Sequence, residues 1–381
     1  MAVTALRGAH VVTSDGTVED GWLTVQHGAI TGIGVGAAPG ALSGTQCLIQ
    51  GAWVLPGFVD LHVHGGGGAS FTAGRADDAR RAAAFHLRHG TTTMLASLVT
   101  APHGELLTAC RSLAPLVADH TISVIHLEGP HLSHVHCGAQ DPRFLSRPNL
   151  GQFDELLEAA NGTVRQITVA PELPHALELI RHAVAAGVVA AIGHTNATYA
   201  ETIAGIDAGA TLATHLCNAM PALHHRDGGP VLALLDDERV TLELINDEVH
   251  IHHALIQRLL KAAGPARVAL ITDAMAAAGR PDGTYRLGHR EVIVHDGAVR
   301  LVEGGNLAGS VLTMDVAVAN AVRRGTPMGT VVCAAATTPA RVLGLADRGA
   351  IGISMRADIV VLNEMLVVTH VLKAGEVVVS T

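Results

Sequence analysis

Two hydrophobic patterns follow one another along the chain. Up to about Val54, short runs of β-like residues alternate with turns that contain Gly and Asp, at residues 10–13, 22–26 and 29–33. From Leu55 onward, apolar runs alternate with Ala-rich amphipathic segments, which is the pattern of strands and helices in a parallel sheet. The first part therefore predicts a small β unit, and the second predicts a larger α/β domain.

The second pattern contains eight candidate strands. They lie at residues 58–62, 92–97, 122–127, 164–170, 188–192, 211–215, 241–245 and 268–272. Helical periodicity falls between them, for example at residues 76–89, 174–186, 199–208 and 252–263. Eight alternating units in a chain of 381 residues favour a closed (β/α)8 TIM-like barrel over an open sheet.

The chain beyond the eighth strand completes the predicted architecture. A Gly-rich insertion with β-like runs (276–305) precedes two helical segments (312–324 and 331–343), and the last runs, at 358–362 and 367–380, are again β-like. We expect the two chain ends to pair in one small β-sandwich. The predicted domains are residues 1–54 and 346–381 for the sandwich and residues 55–345 for the barrel.

Composition narrows the class of protein. Apolar residues make up 49% of the chain and aromatic residues only 2%, which suits barrel layers packed from Ala, Val, Leu and Ile. The net charge of -9 is spread without basic clusters, so we expect neither a nucleic-acid nor a membrane partner. Five widely spaced cysteines and the absence of a signal-like start predict a cytoplasmic protein.

Polar residues occur where the predicted strands end. Active sites of such barrels gather at the carboxyl ends of the strands, so residues at these positions are candidate catalytic residues. The candidates are His62 and His64 at the end of the first strand, Glu128 at the end of the third, His194 at the end of the fifth, His215 at the end of the sixth, His250 in the loop after the seventh and Asp273 at the end of the eighth.

Imidazole and carboxylate groups together predict a site for zinc, iron or a similar divalent ion. His62 and His64 are two apart and point to the same face, so both can address one metal. Such a metal would activate water, and that chemistry still needs a general base. Asp273, at the last strand end, is the candidate general base and acid.

Five segments give the chain a family resemblance. They read PGFVDLHVHG (56–65), HLEGP (126–130), GHT (193–195), THLCNAMP (214–221) and LAGS (307–310). Together they resemble the N-acetylglucosamine-6-phosphate deacetylases of the amidohydrolase superfamily. The resemblance implies a hydrolase that removes the acetyl group from N-acetyl-D-glucosamine 6-phosphate.

The same resemblance implies roles for individual residues. Glu128, His194 and His215 would hold a metal, and Asp273 would be the catalytic acid and base. Because the His62 and His64 pair is retained, we expect two divalent metals rather than one. The implied substrate-binding residues are Ala139, Gln140, Asn218, Ala219, Arg226, Asp247, His250, Leu307, Ala308 and Gly309.

Family members are homodimers, and the resemblance implies that Arg226 reaches the phosphate in the neighbouring subunit. Some binuclear relatives bridge their metals with a carbamylated lysine. Here the two lysines, Lys261 and Lys373, lie on a predicted helix and in the terminal β region, which leaves Glu128 as the bridging or principal carboxylate.

Two departures from the family pattern keep alternatives open. Gln140 stands where many members carry a His that polarises the acetyl carbonyl, and Glu248 stands where Gly is usual. The alternatives are a deacetylase of N-acetylgalactosamine 6-phosphate or another N-acyl amino sugar, and a non-catalytic barrel that binds a sugar phosphate. The nearby histidines at 131, 134 and 136 are interpreted as part of a lid loop and not as metal ligands.

Overall fold

The computed structural model describes residues 4–36 and 47–380. Within these ranges the strands, in chain order, are β1 (Thr4–Thr13), β2 (Gly16–Gln26), β3 (Ala29–Val35), β4 (Cys47–Pro56), β5 (Phe58–Asp60), β6 (Gly65–Gly66), β7 (Ala69–Ser70), β8 (Thr91–Val99), β9 (Val124–Glu128), β10 (Val164–Val169), β11 (Val189–Ile192), β12 (Leu212–Ala213), β13 (Thr241–Ile245), β14 (Val268–Ile271), β15 (Gly283–Leu287), β16 (Arg290–His295), β17 (Ala298–Leu301), β18 (Ile359–Leu362), β19 (Val368–Lys373) and β20 (Glu376–Ser380).

The α-helices of the same ranges are α1 (Ala76–Arg88), α2 (His103–Ala118), α3 (Leu150–Ala159), α4 (Ala176–Ala185), α5 (Tyr199–Asp207), α6 (Gly229–Asp236), α7 (His253–Ala263), α8 (Met314–Arg323), α9 (Met328–Val332) and α10 (Thr338–Val342). Short 3-10 turns lie at Pro142–Phe144 and Pro265–Arg267, and a π-helical turn lies at Cys333–Thr337. No helix of the described residues is long and apolar enough to cross a membrane.

The chain divides into two compact units. The first contains the described residues of Met1–Asp60 together with His86–Thr93 and Met314–Thr381, and the second contains Leu61–Phe85 and Met94–Thr313. The division into a sandwich (1–54 and 346–381) and a barrel (55–345) stays a prediction.

Both chain ends contribute to a seven-stranded sheet in the first unit. Its order is β20-β19-β18-β4-β1-β2-β3, so strands from the start and the end of the chain meet where β4 pairs with β18. Leu6, Leu23, Val54, Ile359 and Leu372 are buried in its core. Pairing of the two chain ends is therefore confirmed, whereas their arrangement as a sandwich stays a prediction.

An eight-stranded parallel sheet carries the α/β part of the fold. Its order is β14-β13-β12-β11-β10-β9-β8-β5, with each strand beside its predecessor in this series. Its strands are rich in buried β-branched and apolar residues; in β8 and β13 every residue is buried. Burial on both faces is what parallel strands covered by helices require.

Backbone hydrogen bonds bring the two ends of this sheet together. The segment after β5 pairs in parallel with the segment after β14 through Val63 and Ala274. Asp273 N donates to His62 O over 2.8 Å, and His64 N donates to Ala274 O over 2.8 Å. The sheet is thus a nearly closed barrel, and the predicted barrel fold is confirmed at this level.

The predicted elements match the observed ones with shifted ends. The predicted helices at 76–89, 174–186, 199–208 and 252–263 correspond to α1, α4, α5 and α7. The predicted strand at 211–215 is only Leu212–Ala213, because the backbone leaves the sheet before His215, which has a left-handed φ of 28°. The predicted helical segment at 331–343 is confirmed, since residues 328–342 are helical without a break, with a π-helical turn between α9 and α10.

The segment after the eighth barrel strand folds as a separate antiparallel sheet. Strands β15, β16 and β17 pair in that order, and Val292, Val299 and Leu301 pack with Met275 and Ala308. The predicted β-like insertion at 276–305 is thereby confirmed. This sheet holds the segment that carries Leu307 against the end of the barrel.

Candidate active site

The barrel brings the candidate residues to the ends of their strands. Glu128 is the last residue of β9, while His194, His215 and Asp273 each follow the last residue of their strand by two positions. The last three have left-handed φ angles of 48°, 28° and 50°, a conformation that non-glycine residues rarely adopt. Such backbone is typical of functional sites, where the surrounding structure holds it in place.

Three of these side chains form the first group of donor atoms. Glu128 Oε1 lies 3.0 Å from His194 Nε2 and 2.9 Å from His215 Nε2, and the two imidazole nitrogens are 3.1 Å apart. All three residues are buried. Segments far apart in the sequence thus place one oxygen and two nitrogens around a single point, as the sequence predicted.

A second group consists of His62, His64 and Asp273. His62 Nε2 and His64 Nε2 are 3.1 Å apart, and Asp273 Oδ1 lies 3.7 Å and 3.2 Å from them, respectively. These residues are also buried. The side chains of the predicted His pair do face the same way, and the last barrel strand supplies the carboxylate beside them.

Glu128 joins the two groups. Its Oε1 lies 3.4 Å from His62 Nε2, and its Oε2 lies 3.2 Å from His64 Nε2. In each group of three, the donor atoms lie within 4.8 Å of one another. The carboxylate of Glu128 therefore occupies the position of a bridge between two potential cation sites.

The hydrogen-bond partners of Nδ1 in three of the imidazoles determine that Nε2 is the ring nitrogen that faces the donor groups. His64 Nδ1 lies 3.0 Å from Ser97 O, His194 Nδ1 lies 3.1 Å from His136 O, and His62 Nδ1 lies 3.3 Å from Glu243 Oε2. Each partner only accepts hydrogen bonds, so each Nδ1 carries the proton and donates it. The lone pair of each neutral ring is then on Nε2, which points at the centre.

This arrangement fits divalent cations. Two Nε2 atoms that face each other at 3.1 Å cannot hydrogen-bond when both carry lone pairs or both carry protons. A shared cation removes the conflict, since tetrahedral zinc with Zn–N bonds of about 2.0–2.1 Å separates its ligand nitrogens by roughly 3.3 Å. The residues present thus suit a metal in each group.

The carboxylates of the two donor groups shift the pKa values of His62 and His64. Burial disfavours the charged form of His64, but hydrogen bonds to Asp273 and Glu128 outweigh burial and raise the pKa of His64 to about 9. In the same way, Glu128 and Asp273 outweigh burial and raise the pKa of His62. Metal binding must displace protons from these rings, so metal affinity falls as the pH falls.

A cavity of about 400 Å³ opens beside these groups. Its lining contains seven of the ten predicted substrate-binding residues: Ala139, Gln140, Asn218, Ala219, His250, Leu307 and Gly309. His250 Nδ1 hydrogen-bonds Asp247 Oδ2 over 2.7 Å. Burial disfavours a charged His250, yet this contact with Asp247 outweighs burial and raises the pKa of His250.

Three predicted substrate-binding residues do not line the cavity. Asp247 lies behind His250, Ala308 is fully buried, and Arg226 is exposed with its guanidinium 2.9 Å from His225 Nε2. An arginine that contacts the phosphate in the neighbouring subunit need not line the cavity of its own chain. The role predicted for Arg226 therefore remains a prediction.

Gln140 takes a different partner from the one its predicted role implies. Its Oε1 accepts from Thr100 N over 2.7 Å, and its Nε2 donates to Glu128 Oε2 over 2.5 Å. The side chain is buried and lines the cavity. Gln140 therefore holds the carboxylate of Glu128 in addition to facing the cavity.

Sequence reasoning missed residues that complete the site. Glu243 in β13 is fully buried behind His62, and its place in the apolar run Thr241–Ile245 was the signal that could have revealed it. Leu287 and Asn306 line the cavity but belong to a hairpin and a loop without a recognisable motif, whereas His136, which also lines it, lies in the segment interpreted as a lid loop. His131 is buried, and burial lowers its pKa to about 4; it belongs to neither of the two donor groups.

Comparison with known proteins identifies relatives over the whole chain. Residues 53–378 match the amidohydrolase family. The chain is 35% identical over 377 residues to the N-acetylgalactosamine-6-phosphate deacetylase of Escherichia coli O157:H7, covering 97% of this chain and 98% of the relative. It is 31% identical over 363 residues to the N-acetylglucosamine-6-phosphate deacetylase of Bacillus subtilis, covering 93% and 91%.

Solved structures agree with the sequence comparison. A variant of N-acetyl-D-glucosamine-6-phosphate deacetylase from Mycobacterium smegmatis, in complex with N-acetyl-D-glucosamine-6-phosphate, is 43% identical with a TM-score of 0.96, and the match covers 100% of both chains. The corresponding enzyme of Thermotoga maritima is 31% identical with a TM-score of 0.89, covering 99% of this chain and 100% of that one. Together with the donor groups at the barrel end, these matches confirm the resemblance found in the sequence: the chain belongs to the amidohydrolase family.

Proposed function

We propose that this protein deacetylates N-acetyl-D-glucosamine 6-phosphate to D-glucosamine 6-phosphate and acetate. One observation carries the proposal: Glu128, His194 and His215 converge within hydrogen-bond distance, and Asp273 lies beside them in the same cavity. The cavity is large enough for a monosaccharide. The 43% identical relative that binds this sugar phosphate supports the choice of substrate.

Glu128, His194 and His215 are the proposed ligands of one divalent cation, and His62, His64 and Asp273, with Glu128 between the groups, are those of a second. Zinc is the proposed metal, with iron or another transition metal as the alternatives, because imidazole and carboxylate ligands suit these ions. When bound, such an ion lowers the pKa of water and polarises an amide carbonyl.

Asp273 is the proposed catalytic acid and base. Burial would raise the pKa of its carboxyl, but the hydrogen bond from His64 and the charges of His62 and His64 outweigh burial and lower that pKa. The group is therefore ionised and able to accept a proton at neutral pH. It takes the proton of the attacking water and then donates it to the nitrogen that leaves as the amine.

The rest of the cavity orients the sugar. Asn218, Ala219, Leu307 and Gly309 offer side-chain and backbone groups around the pyranose, and His250 is the proposed partner of the phosphate. The contact with Asp247 raises the pKa of His250 and so favours its cationic form, which can make a charge-assisted hydrogen bond to the phosphate. Arg226 from a second copy of the chain would add a bidentate contact in a homodimer.

An acetate-release assay tests this function. The purified, zinc-loaded protein should release acetate from N-acetylglucosamine 6-phosphate, and Asp273→Asn should reduce turnover by at least about a thousandfold, as expected for loss of a general base and acid in two steps. Glu172→Gln, which changes a carboxylate that contacts Thr195 and Asn196, is a control expected to keep measurable turnover. Absence of acetate release by the parent protein with bound zinc would overturn the proposal.

The galactosamine epimer is the second candidate substrate. It is favoured by the relative from Escherichia coli O157:H7, which is 35% identical over nearly the whole chain. The same assay on both epimers decides, because a higher kcat/KM for N-acetylgalactosamine 6-phosphate would replace the first candidate. The cytoplasmic location and the homodimer stay predictions alongside either substrate.

A further inference from the structure

A third carboxylate lies beneath the two donor groups. Glu243 occupies the middle of β13, and its relative exposure is 0%. Burying an ionised carboxylate is costly unless hydrogen bonds and an opposite charge compensate for it. Its contacts therefore show what the fold gains from a carboxylate at this position.

Three donors surround the Glu243 carboxylate. Gln166 Nε2 donates to Oε1 over 3.2 Å, the backbone N of His215 donates to Oε2 over 3.3 Å, and His62 Nδ1 lies 3.3 Å from the same Oε2. His62 is its ion-pair partner among the described residues, and no described arginine or lysine pairs with it. The His62 ring is therefore the titratable partner of Glu243.

The His62 ring connects Glu243 to the metal-binding groups. Its Nδ1 faces Glu243, while its Nε2 lies 3.1 Å from His64 Nε2 and 3.7 Å from Asp273 Oδ1. A carboxylate that accepts from the far nitrogen of a metal-binding histidine fixes the tautomer and the plane of the ring and raises its basicity. The Glu243 carboxylate meets this description.

We propose that Glu243 is a positioning residue that holds His62 with Nε2 toward the centre and thereby enables the His62, His64 and Asp273 group to bind a second divalent cation. This inference rests on the metal-dependent site of the proposed function. The Glu243 carboxylate would add to the negative charge that Glu128 and Asp273 supply near two divalent cations.

The test measures metal binding without substrate. Metal-depleted protein is reconstituted with Zn²⁺, the zinc per chain is determined by mass spectrometry, and the affinity of each equivalent is determined by chelator competition. We expect two equivalents in the parent protein. In Glu243→Gln one equivalent should bind about 10- to 100-fold more weakly, as for other losses of an outer partner of a ligand, while the other is unchanged.

Two further variants show which zinc equivalent is weakened and whether the effect is specific to Glu243. His62→Ala should weaken the same equivalent, which assigns it to the His62 group. Asp78→Asn changes another buried carboxylate, one that pairs with Arg75 and Arg81, and should leave both equivalents unchanged. Because Glu243 also holds the backbone of His215, a purely structural role would weaken both equivalents alike.

Several results would overturn the inference. They are a single equivalent in the parent protein, unchanged affinities in Glu243→Gln, or equal weakening of both equivalents. If Glu243→Gln does not fold, Gln166→Met removes the donor at Oε1 and should weaken the same equivalent by a smaller factor; no change there would also overturn it. Failure of the parent protein to release acetate would refute the proposed substrate and leave this inference standing.

Discussion

The side-chain amide of Gln140 donates to Glu128 Oε2 over 2.5 Å, while Thr100 N holds the amide oxygen over 2.7 Å. The backbone donor fixes the orientation of the amide, so that NH2 and not the oxygen faces the carboxylate. Glu128 Oε1 is left to His194 and His215. A position expected to contact the substrate therefore also orients the central carboxylate.

Substitution of Gln140 should affect metal binding as well as turnover. Gln140→Leu removes the donor to Glu128, and we expect metal affinity and kcat/KM each to fall by about 10- to 100-fold. Chelator competition and acetate release measure the two quantities. Gln152→Leu, on helix α3, is the matched control and should change neither. Loss of kcat/KM with unchanged metal affinity would limit Gln140 to substrate contact.

A methyl group at Gly138 should disturb His194. An added Cβ would lie 3.1 Å from His194 Cε1, and the φ of Gly138 is 59°. Gly162 has a similar φ of 71° but no heavy atom within 4 Å of such a Cβ. We expect both alanine variants to lose about 1 kcal/mol of unfolding free energy from backbone strain, whereas only Gly138→Ala loses kcat.

Urea unfolding and acetate release separate these two effects. Equal kcat values in Gly138→Ala and Gly162→Ala would contradict the close approach of the loop to His194.

The Asp247 and His250 pair predicts a pH dependence of substrate binding. The pKa of His250 is raised, so its cationic form is present below that pKa and disappears as the pH rises through it. We expect KM to increase by about 10- to 150-fold across this rise, because a charge-assisted hydrogen bond contributes about 1.5–3 kcal/mol. In Asp247→Asn the increase should begin at a lower pH.

Steady-state kinetics from neutral to alkaline pH measure this shift, and kcat should keep its own profile. Asp237→Asn, which alters a carboxylate paired with Arg239, is the control and should reproduce the parent curve. Identical pH profiles of KM for Asp247→Asn and the parent protein would show that His250 does not bind the phosphate.

Metal removal should lower stability as well as activity. A cation held by the buried donor groups binds the folded protein only, and a ligand at a hundredfold excess over its Kd stabilises the folded state by about 2.7 kcal/mol. Chelation should therefore lower Tm, and added Zn²⁺ should restore it. His215→Ala should abolish most of this response, while His289→Ala, at a histidine that pairs with Glu105, should preserve it. An unchanged Tm on chelation would argue against metal in the folded protein.

The sequence was sufficient to predict the barrel and its donor residues because periodicity and strand-end position are local properties. His62, His64, Glu128, His194, His215 and Asp273 all meet at one end of the barrel, as their positions after strands indicated. The family resemblance is confirmed by relatives that match nearly the whole chain. The individual roles of these six residues stay predictions that the experiments above address.

Other features depend on long-range packing that a linear pattern does not encode. Glu243 belongs to a strand that resembles its neighbours, and only the closed barrel places it behind His62, 181 positions earlier. The contact of Gln140 with Glu128 likewise depends on how the loop folds back. Arg226 is exposed, so its predicted function depends on a second subunit.

The hydrogen bonds between His62–His64 and Asp273–Ala274 join parts of the chain that are more than two hundred residues apart. Contacts between residues so far apart in the sequence form slowly, because closing a long loop costs conformational entropy before the contacts contribute any favourable free energy. During synthesis, Glu128, His194 and His215 are all added to the chain before residue 273. Asp273, the proposed catalytic acid and base, can join them only once the segment after the last barrel strand has paired with the segment after the first.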